Sequence, residues 1–132
     1  MQRQNYVVEE AAALASRLKH RLIKKNWTIS TAESCTGGMI SSLLTDISGA
    51  SAWFKQGWIV YSNESKMREL GVESPAFDEG GHGAVSHKVA VQMARGARYK
   101  SGSNISIAVT GIAGPGGSSE NKEVGRVPVS YT

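Results

Sequence analysis

The fold is decided by residues 27–38, WTISTAESCTGG. Residues 27–33 are rich in β-branched side chains that alternate along the chain, which is typical of a β-strand. Residues 34–38 (SCTGG) then supply small side chains and two glycines, which favour a tight turn. A helical pattern follows over about residues 38–47, and its apolar positions share one face: Ile40, Leu43, Leu44 and Ile47. This stretch therefore predicts a strand, a turn and a helix.

The alternation of helices and strands continues on both sides of this unit. The other predicted elements are helix 6–25, strand 57–62, a short helix 64–70 capped by Asn63, a loop over 73–84, helix 86–100, strand 104–110 and a last strand within 124–132. Because strands are separated by helices, we expect an α/β fold: three α/β/α layers around a mostly parallel or mixed sheet. Pro128 has to fall at a sheet edge or a strand end.

Composition indicates an ordinary globular domain. The chain has 132 residues, of which 40% are hydrophobic and 20% charged. Cys35 is the single cysteine, so an internal disulfide is excluded and a reducing, cytoplasmic location is expected. The three histidines lack ligand spacing, and we expect neither a metal nor a cofactor. No stretch approaches the roughly 20 apolar residues of a membrane span, and we expect no membrane partner.

The net charge of +4 is concentrated in the first helix. The positive residues there are Arg17, Lys19, Arg21, Lys24 and Lys25. A solvated helix face explains them, since a nucleic-acid surface is normally more strongly basic. Nucleic-acid binding is kept as a minor alternative that predicts strongly salt-dependent association.

Ser34 is the first candidate for chemistry, because it follows a strand and precedes a helix. Ligands of open α/β sheets bind beyond the carboxyl ends of the strands. Backbone N–H groups of the turn at Thr36, Gly37 and Gly38 could hold an anion or an oxyanion there, and glycine permits close approach. The alternative is that Ser34 and Thr36 only cap the helix.

Tyr61 and Lys66 lie at the end of the next strand and in the first turn of its helix. A lysine is disfavoured at a helix N-terminus, and burial would lower its pKa further. A neutral lysine can deprotonate a serine hydroxyl, as in Ser-Lys hydrolases, and Tyr61 could relay a proton. The alternatives are an exposed surface lysine and a packed aromatic side chain.

A third candidate is the loop TGIAGPGG, residues 110–117, which leaves the end of another strand. Its backbone N–H groups suit a phosphate or a ribose. It matches neither a P-loop nor a dinucleotide fingerprint. The residues of this loop that could contact such a ligand are Thr110, Gly111, Ala113, Gly114, Gly116 and Gly117.

Four segments together resemble one family. These are AESCTGG (32–38), YSNESK (61–66), GAVS (83–86) and VTGIAGPGG (109–117), and they resemble the CinA C-terminal domain family of nicotinamide-nucleotide amidases, or NMN deamidases. The resemblance extends over about residues 6–127. It implies hydrolysis of nicotinamide mononucleotide to nicotinic acid mononucleotide and ammonia, in pyridine nucleotide recycling in bacteria, by a metal-independent Ser/Lys mechanism.

Carried over by motif, Ser34 would be the nucleophile, Lys66 the general base and Tyr61 their helper. Residues 1–132 are expected to form a single domain of this amidase type, truncated at its C-terminus, and to form homo-oligomers. The partner implied is a small nucleotide substrate. The alternative function is a nucleotide-binding or regulatory module of the same fold with weak or no turnover.

Overall fold

The structure is a computed structural model that describes residues 2–78, 83, 85–112 and 127–132. The elements in chain order are α1 (Gln2–Lys25), β1 (Ile29–Glu33), α2 (Met39–Thr45), a 3₁₀ turn (Ala50–Ala52), β2 (Phe54–Ile59), α3 (Asn63–Leu70), α4 (Pro75–Asp78), α5 (His87–Ser101), β3 (Ile105–Val109) and β4 (Val129–Tyr131). The predicted order of helices and strands is confirmed, and α4 and the 3₁₀ turn are additions to it.

The four described strands form one mixed sheet in the order β2-β1-β3-β4. Strand β1 is parallel to both of its neighbours, and β4 runs antiparallel to β3. Pro128 directly precedes β4, the outermost strand of the described sheet on that side, and its carbonyl accepts a hydrogen bond from Thr110 N–H at 3.1 Å. The proline therefore lies at a strand end, where its missing N–H removes no bond from the ladder.

Two apolar clusters cover the two faces of the sheet, which gives the predicted three layers. One cluster joins Ala32 of β1 to α5, through residues such as Val89 and Met93. The other cluster joins Ile29 of β1 to α1 and α2, and the fully buried Trp53 belongs to it. Successive strand residues point to opposite faces, so β1 contributes to both cores.

Several helix ends follow the sequence signals. Asn26 ends α1 with a φ of 56°, and Gly102 ends α5 with a φ of 69°, in the left-handed region that glycine tolerates best. Ser86 caps α5 by accepting a hydrogen bond from Val89 N–H at 3.2 Å. The cap predicted at Asn63 is wrong, since Ser62 accepts the bond from Ser65 N–H and α3 begins one residue earlier.

Two predicted boundaries are corrected. Strand β2 covers Phe54–Ile59 instead of 57–62, because this outer strand is largely exposed and its polar residues hide the alternation. The segment predicted as a loop over 73–84 contains α4, of which Ala76 packs into the core. The last predicted strand is described only for Val129–Tyr131, and residues 113–126 lie outside the described part.

Helices α3 and α5 touch through their backbones at Gly96. A Cβ atom on Gly96 would lie 2.0 Å from the carbonyl oxygen of Leu70, which no side chain could tolerate. Glycine at this position therefore sets the distance between the two helices. Among the described helices, none is long and apolar enough to cross a membrane.

Candidate active site

The carboxyl ends of β1, β2 and β3 meet at one edge of the sheet. Glu33, the last residue of β1, pairs with Ile59 of β2 on one side and with Val109 of β3 on the other. The next residues continue this alignment, since Val60 N–H donates to the Glu33 carbonyl at 2.8 Å and Ser34 N–H donates to the Val109 carbonyl at 3.0 Å. The three strand ends that precede the candidate residues therefore meet in the fold.

Ser34 is buried, and its backbone is fixed at both ends. Its N–H is bound to β3, and its carbonyl accepts a hydrogen bond from Gly37 N–H at 3.1 Å. Its hydroxyl has no hydrogen-bond partner within the described ranges. The capping role that was the alternative for Ser34 is thus not seen. A hydroxyl on a buried residue that has no described partner is free to react or to bind a ligand.

The two glycines of the turn are needed mainly for backbone geometry. Gly37 has a φ of 60° and Gly38 a φ of 105°, which other residues adopt only with strain. A Cβ on Gly37 would meet nothing within 4 Å, whereas a Cβ on Gly38 would lie 3.0 Å from Ile59 Cδ1. The expected role in close ligand approach therefore stays a prediction, and the turn itself already requires glycine.

The carboxylate of Glu33 occupies the start of α2. It accepts hydrogen bonds from Ile40 N–H at 2.8 Å and from both the N–H and the hydroxyl of Ser41, at 2.9 and 2.6 Å. Burial alone would raise the pKa of Glu33, but these bonds favour the charged form and lower the pKa overall. The backbone N–H groups of Ile40 and Ser41 therefore bind Glu33. An oxyanion would have to bind N–H groups nearer to Ser34.

Thr36 adds to the polar surroundings of Glu33. Its Oγ1 atom is buried and has no partner with good hydrogen-bond geometry in the described structure. Its hydroxyl nevertheless contributes weakly to the lowered pKa of Glu33, so it is directed toward that carboxylate without completing a bond. A donor left in this state can turn to a ligand at little cost.

Lys66 is the second buried charged group of the site. It is the fourth residue of α3, its side chain is only 1% exposed, and Nζ donates to the carbonyl oxygen of Tyr61 at 2.7 Å. Burial lowers the pKa of Lys66, and a negative charge on the nearby Cys35 would oppose this change. The lysine therefore loses its proton more easily than an exposed one, which is the property a general base needs.

Tyr61 is the third predicted catalytic residue, and its part in proton transfer stays a prediction. Its ring is 75% exposed, and its contact with Lys66 is made by the backbone carbonyl. The hydroxyl has no described partner in the site. Tyr61 thus holds the lysine through its main chain.

Cys35 is half-buried, and it interacts electrostatically with both Lys66 and Glu33. Burial raises the pKa of its thiol; its own N–H, that of Thr36 and the charge on Lys66 act to lower it, and Glu33 to raise it. The thiol is therefore protonated near neutral pH, which suits a bystander better than a nucleophile.

The third loop is only partly described. Thr110 is buried at the end of β3, and Gly111 and Ile112 follow it in partly exposed positions. The predicted pocket residues Ala113, Gly114, Gly116 and Gly117 lie outside the described residues. Within those that are described, no group of three or more metal-ligating side chains occurs.

Glu33 is the residue that sequence reasoning missed. Glu33 belongs to the predicted strand 27–33, and a carboxylate in an otherwise uncharged strand is a clear signal. A charge is almost never fully buried unless it is paired or hydrogen-bonded. The strand therefore predicts that Glu33 has hydrogen-bond donors, and the structure shows that they come from the helix that follows.

Fold and site together define a three-layer α/β protein with buried Ser, Lys and Glu side chains at one sheet edge. The model of the CinA C-terminal domain matches residues 11–132, and the chain belongs to this family. The curated relatives include the nicotinamide-nucleotide amidohydrolase PncC of Shewanella oneidensis, 47% identical over 124 residues, and a CinA-like protein of Shewanella baltica, 46% identical over 124 residues. In both cases the alignment covers 94% of this chain and 29% of the relative.

Solved structures agree with this assignment. The competence/damage inducible protein CihA of Agrobacterium tumefaciens superposes with a TM-score of 0.87 at 45% identity, over 92% of this chain and 72% of that one. A CinA superfamily protein of Escherichia coli gives a TM-score of 0.86 at 34% identity, over 92% and 69% of the two chains. The predicted fold class and family are therefore confirmed.

Proposed function

We propose that this domain hydrolyses the carboxamide of nicotinamide mononucleotide, giving nicotinic acid mononucleotide and ammonia. The observation that carries the proposal is the buried Lys66, whose pKa is lowered, at the same sheet edge as the unpartnered hydroxyl of Ser34. The name of the Shewanella oneidensis relative supports the choice of substrate. A buried lysine is costly to the fold, and a catalytic use explains why it is there.

The proposed reaction is acyl transfer through Ser34. Neutral Lys66 takes the proton of the Ser34 hydroxyl, and the oxygen attacks the carboxamide carbon. The tetrahedral intermediate carries a negative oxygen, which we expect backbone N–H groups of the 34–38 turn to stabilise, because Glu33 binds the N–H groups of Ile40 and Ser41. Protonated Lys66 returns the proton to the leaving ammonia, and water then releases the acid.

The Tyr61 carbonyl has a positioning role in this scheme. It holds Lys66 Nζ through one hydrogen bond of 2.7 Å and leaves the other positions of the amine for Ser34 and the leaving group. The Tyr61 ring is exposed, and we expect it to contact the substrate. Replacing the ring should therefore affect KM more than kcat.

Ammonia release from nicotinamide mononucleotide by the purified chain tests the proposal. Wild type should release one ammonia for each nicotinic acid mononucleotide formed, and Ser34→Ala should not. Ser42→Ala is a matched control, since this serine is exposed on α2 and its side chain makes no described bond in the site. Full activity in a folded Ser34→Ala would contradict the proposal. Binding of the nucleotide without turnover in wild type would favour a nucleotide-binding module instead.

A further inference from the structure

Residues 34–38 form a turn that Glu33 closes at both ends. The backbone of Glu33 belongs to the centre of the sheet, where it pairs with Ile59 and Val109. Its side chain reaches past the whole turn and binds Ile40 and Ser41 of α2. A single buried residue therefore fixes where the turn starts and where it ends.

The helix that follows could not hold this position by itself. Helix α2 has only seven residues, far too few for an isolated helix in water. Its N-terminal neighbour Gly38 makes no side-chain cap and has a left-handed backbone. The carboxylate of Glu33 replaces that cap, with three short hydrogen bonds to a charged acceptor.

The packing around this contact leaves little freedom. The Ser41 hydroxyl, which donates to Glu33, also lies 2.7 Å from Thr31 Oγ1 on β1. Both hydroxyls pack over Gly57 of β2, where an added Cβ would lie 2.7 Å from each of them. The start of α2 is thus held against both β1 and β2.

Ser34 depends on this contact, since its hydroxyl has no described partner of its own to orient it. We propose that Glu33 is the positioning residue of the proposed nucleophile: its clamp on α2 holds the 34–38 turn so that the Ser34 hydroxyl and the nearby amides keep a reactive geometry. The proposal rests on the proposed function. A misplacement of reacting groups by about 1 Å can cost on the order of 100-fold in rate.

The test compares three single variants, each checked for folding by thermal unfolding. Glu33→Gln removes the charge and turns one acceptor into a donor that faces an N–H group. Ser41→Ala is a milder change that removes one of the three donors. Thr45→Val is the matched control, because it also removes a hydroxyl from α2, but one that bonds only within the helix.

Two measurements are made on each variant. The first is kcat and KM for nicotinamide mononucleotide: Glu33→Gln should lower kcat by about 100-fold and Ser41→Ala by about tenfold, with KM nearly unchanged, and Thr45→Val should behave as wild type. The second is the rate of Cys35 alkylation by iodoacetamide. It should rise about threefold or more in Glu33→Gln, because the charge that raises the thiol pKa is gone and the turn is released.

The alkylation rate separates the two hypotheses, since it requires no turnover. If wild type does not cleave the nucleotide but alkylation still accelerates in Glu33→Gln and Ser41→Ala relative to Thr45→Val, the substrate proposal fails and the clamp on the turn stands. If folded Glu33→Gln and Ser41→Ala keep wild-type kcat, or if Cys35 reacts at the wild-type rate in both, the positioning role of Glu33 is overturned.

Discussion

The two ends of the sheet both bury polar side chains, but they use them differently. At the amino end, the hydroxyl of Ser103 contacts those of Ser30 and Ser101, each at 2.8 Å, and donates to the Ile105 carbonyl at 3.0 Å. At the carboxyl end, the Ser34 hydroxyl has no described partner. Serine hydroxyls are therefore paired with one another at the amino end, whereas the hydroxyl of Ser34 is left available at the carboxyl end.

The two ends of the sheet also differ in buried charge. Glu33 and Lys66 are the two buried charged side chains among the described residues, and both belong to the carboxyl end. At the amino end, Ser106 Oγ is the exception to the pairing, and it is a neutral group. Satisfied polar groups stabilise a fold, whereas buried charges and free hydroxyls in one place indicate a functional site.

The largest expected effect is that of Ser34→Ala. Turnover should fall by about 1,000-fold or more, because the proposed nucleophile is lost. The midpoint of thermal unfolding should hardly change, since the hydroxyl has no described partner. Steady-state ammonia release and calorimetry check both parts. A large loss of stability would place Ser34 with the structural serines of the amino end.

The second prediction concerns Lys66→Met, which should lower kcat by about 100-fold or more. Burial lowers the pKa of Lys66, so between that pKa and the ordinary 10.5 the unfolded chain binds more protons than the folded chain. The free energy of unfolding of the wild type should therefore increase as the pH rises across this window. Any stability advantage of the variant should be greatest below the window and shrink toward pH 10.5.

Urea unfolding of both proteins at a series of pH values measures this difference. In the same window, wild-type kcat/KM should rise with pH as Lys66 becomes neutral. A stability difference that stays constant with pH would mean that Lys66 titrates like an exposed lysine.

Two glycine variants, one at each end of the sheet, test the comparison between the ends, and their expected effects are of intermediate size. Gly57→Ala forces a Cβ to within 2.7 Å of Ser41 Oγ and Thr31 Oγ1, so it should disturb the Glu33 contact and lower kcat about tenfold. Gly102→Ala, near the amino end, should cost about 1 kcal/mol of stability because its φ is 69°, with kcat unchanged. Equal effects of the two variants on kcat would remove the distinction between the ends.

The smallest effect on activity is expected for Ser103→Ala. It breaks the contacts with Ser30, Ser101 and Ile105, so the free energy of unfolding should fall by about 1–3 kcal/mol. Turnover should stay within about twofold of wild type, since no residue of the proposed site is touched. Denaturant unfolding and the ammonia assay measure the two quantities. A strong loss of kcat would show that the ends are coupled.

Much of the fold could be predicted because its signals are local. Asn26, Ser86 and Gly102 mark helix ends that the structure reproduces, and the alternation in β3 is visible in Ile105 and Ile107. The start of β2 could not be predicted, because its pattern depends on being the outer strand of the described sheet.

For the site, the motifs point to Ser34 and Lys66, and their catalytic roles stay predictions. The partner of Lys66 could not be predicted, because a backbone carbonyl is the same at every residue, and the bond to Tyr61 depends on the path of the chain. The role of Glu33 depends on the donors that α2 presents, which are known only once the turn is folded.

The contact between Gly96 and the Leu70 carbonyl also bears on the proposed catalytic amine. Leu70 ends α3, the helix that carries Lys66, and Gly96 lies on α5, so this contact fixes how closely the two helices approach there. A side chain at position 96 would push the end of α3 away from α5. If that displacement reached Lys66 and admitted water to its amine, the pKa of Lys66 would return toward that of a lysine in solution.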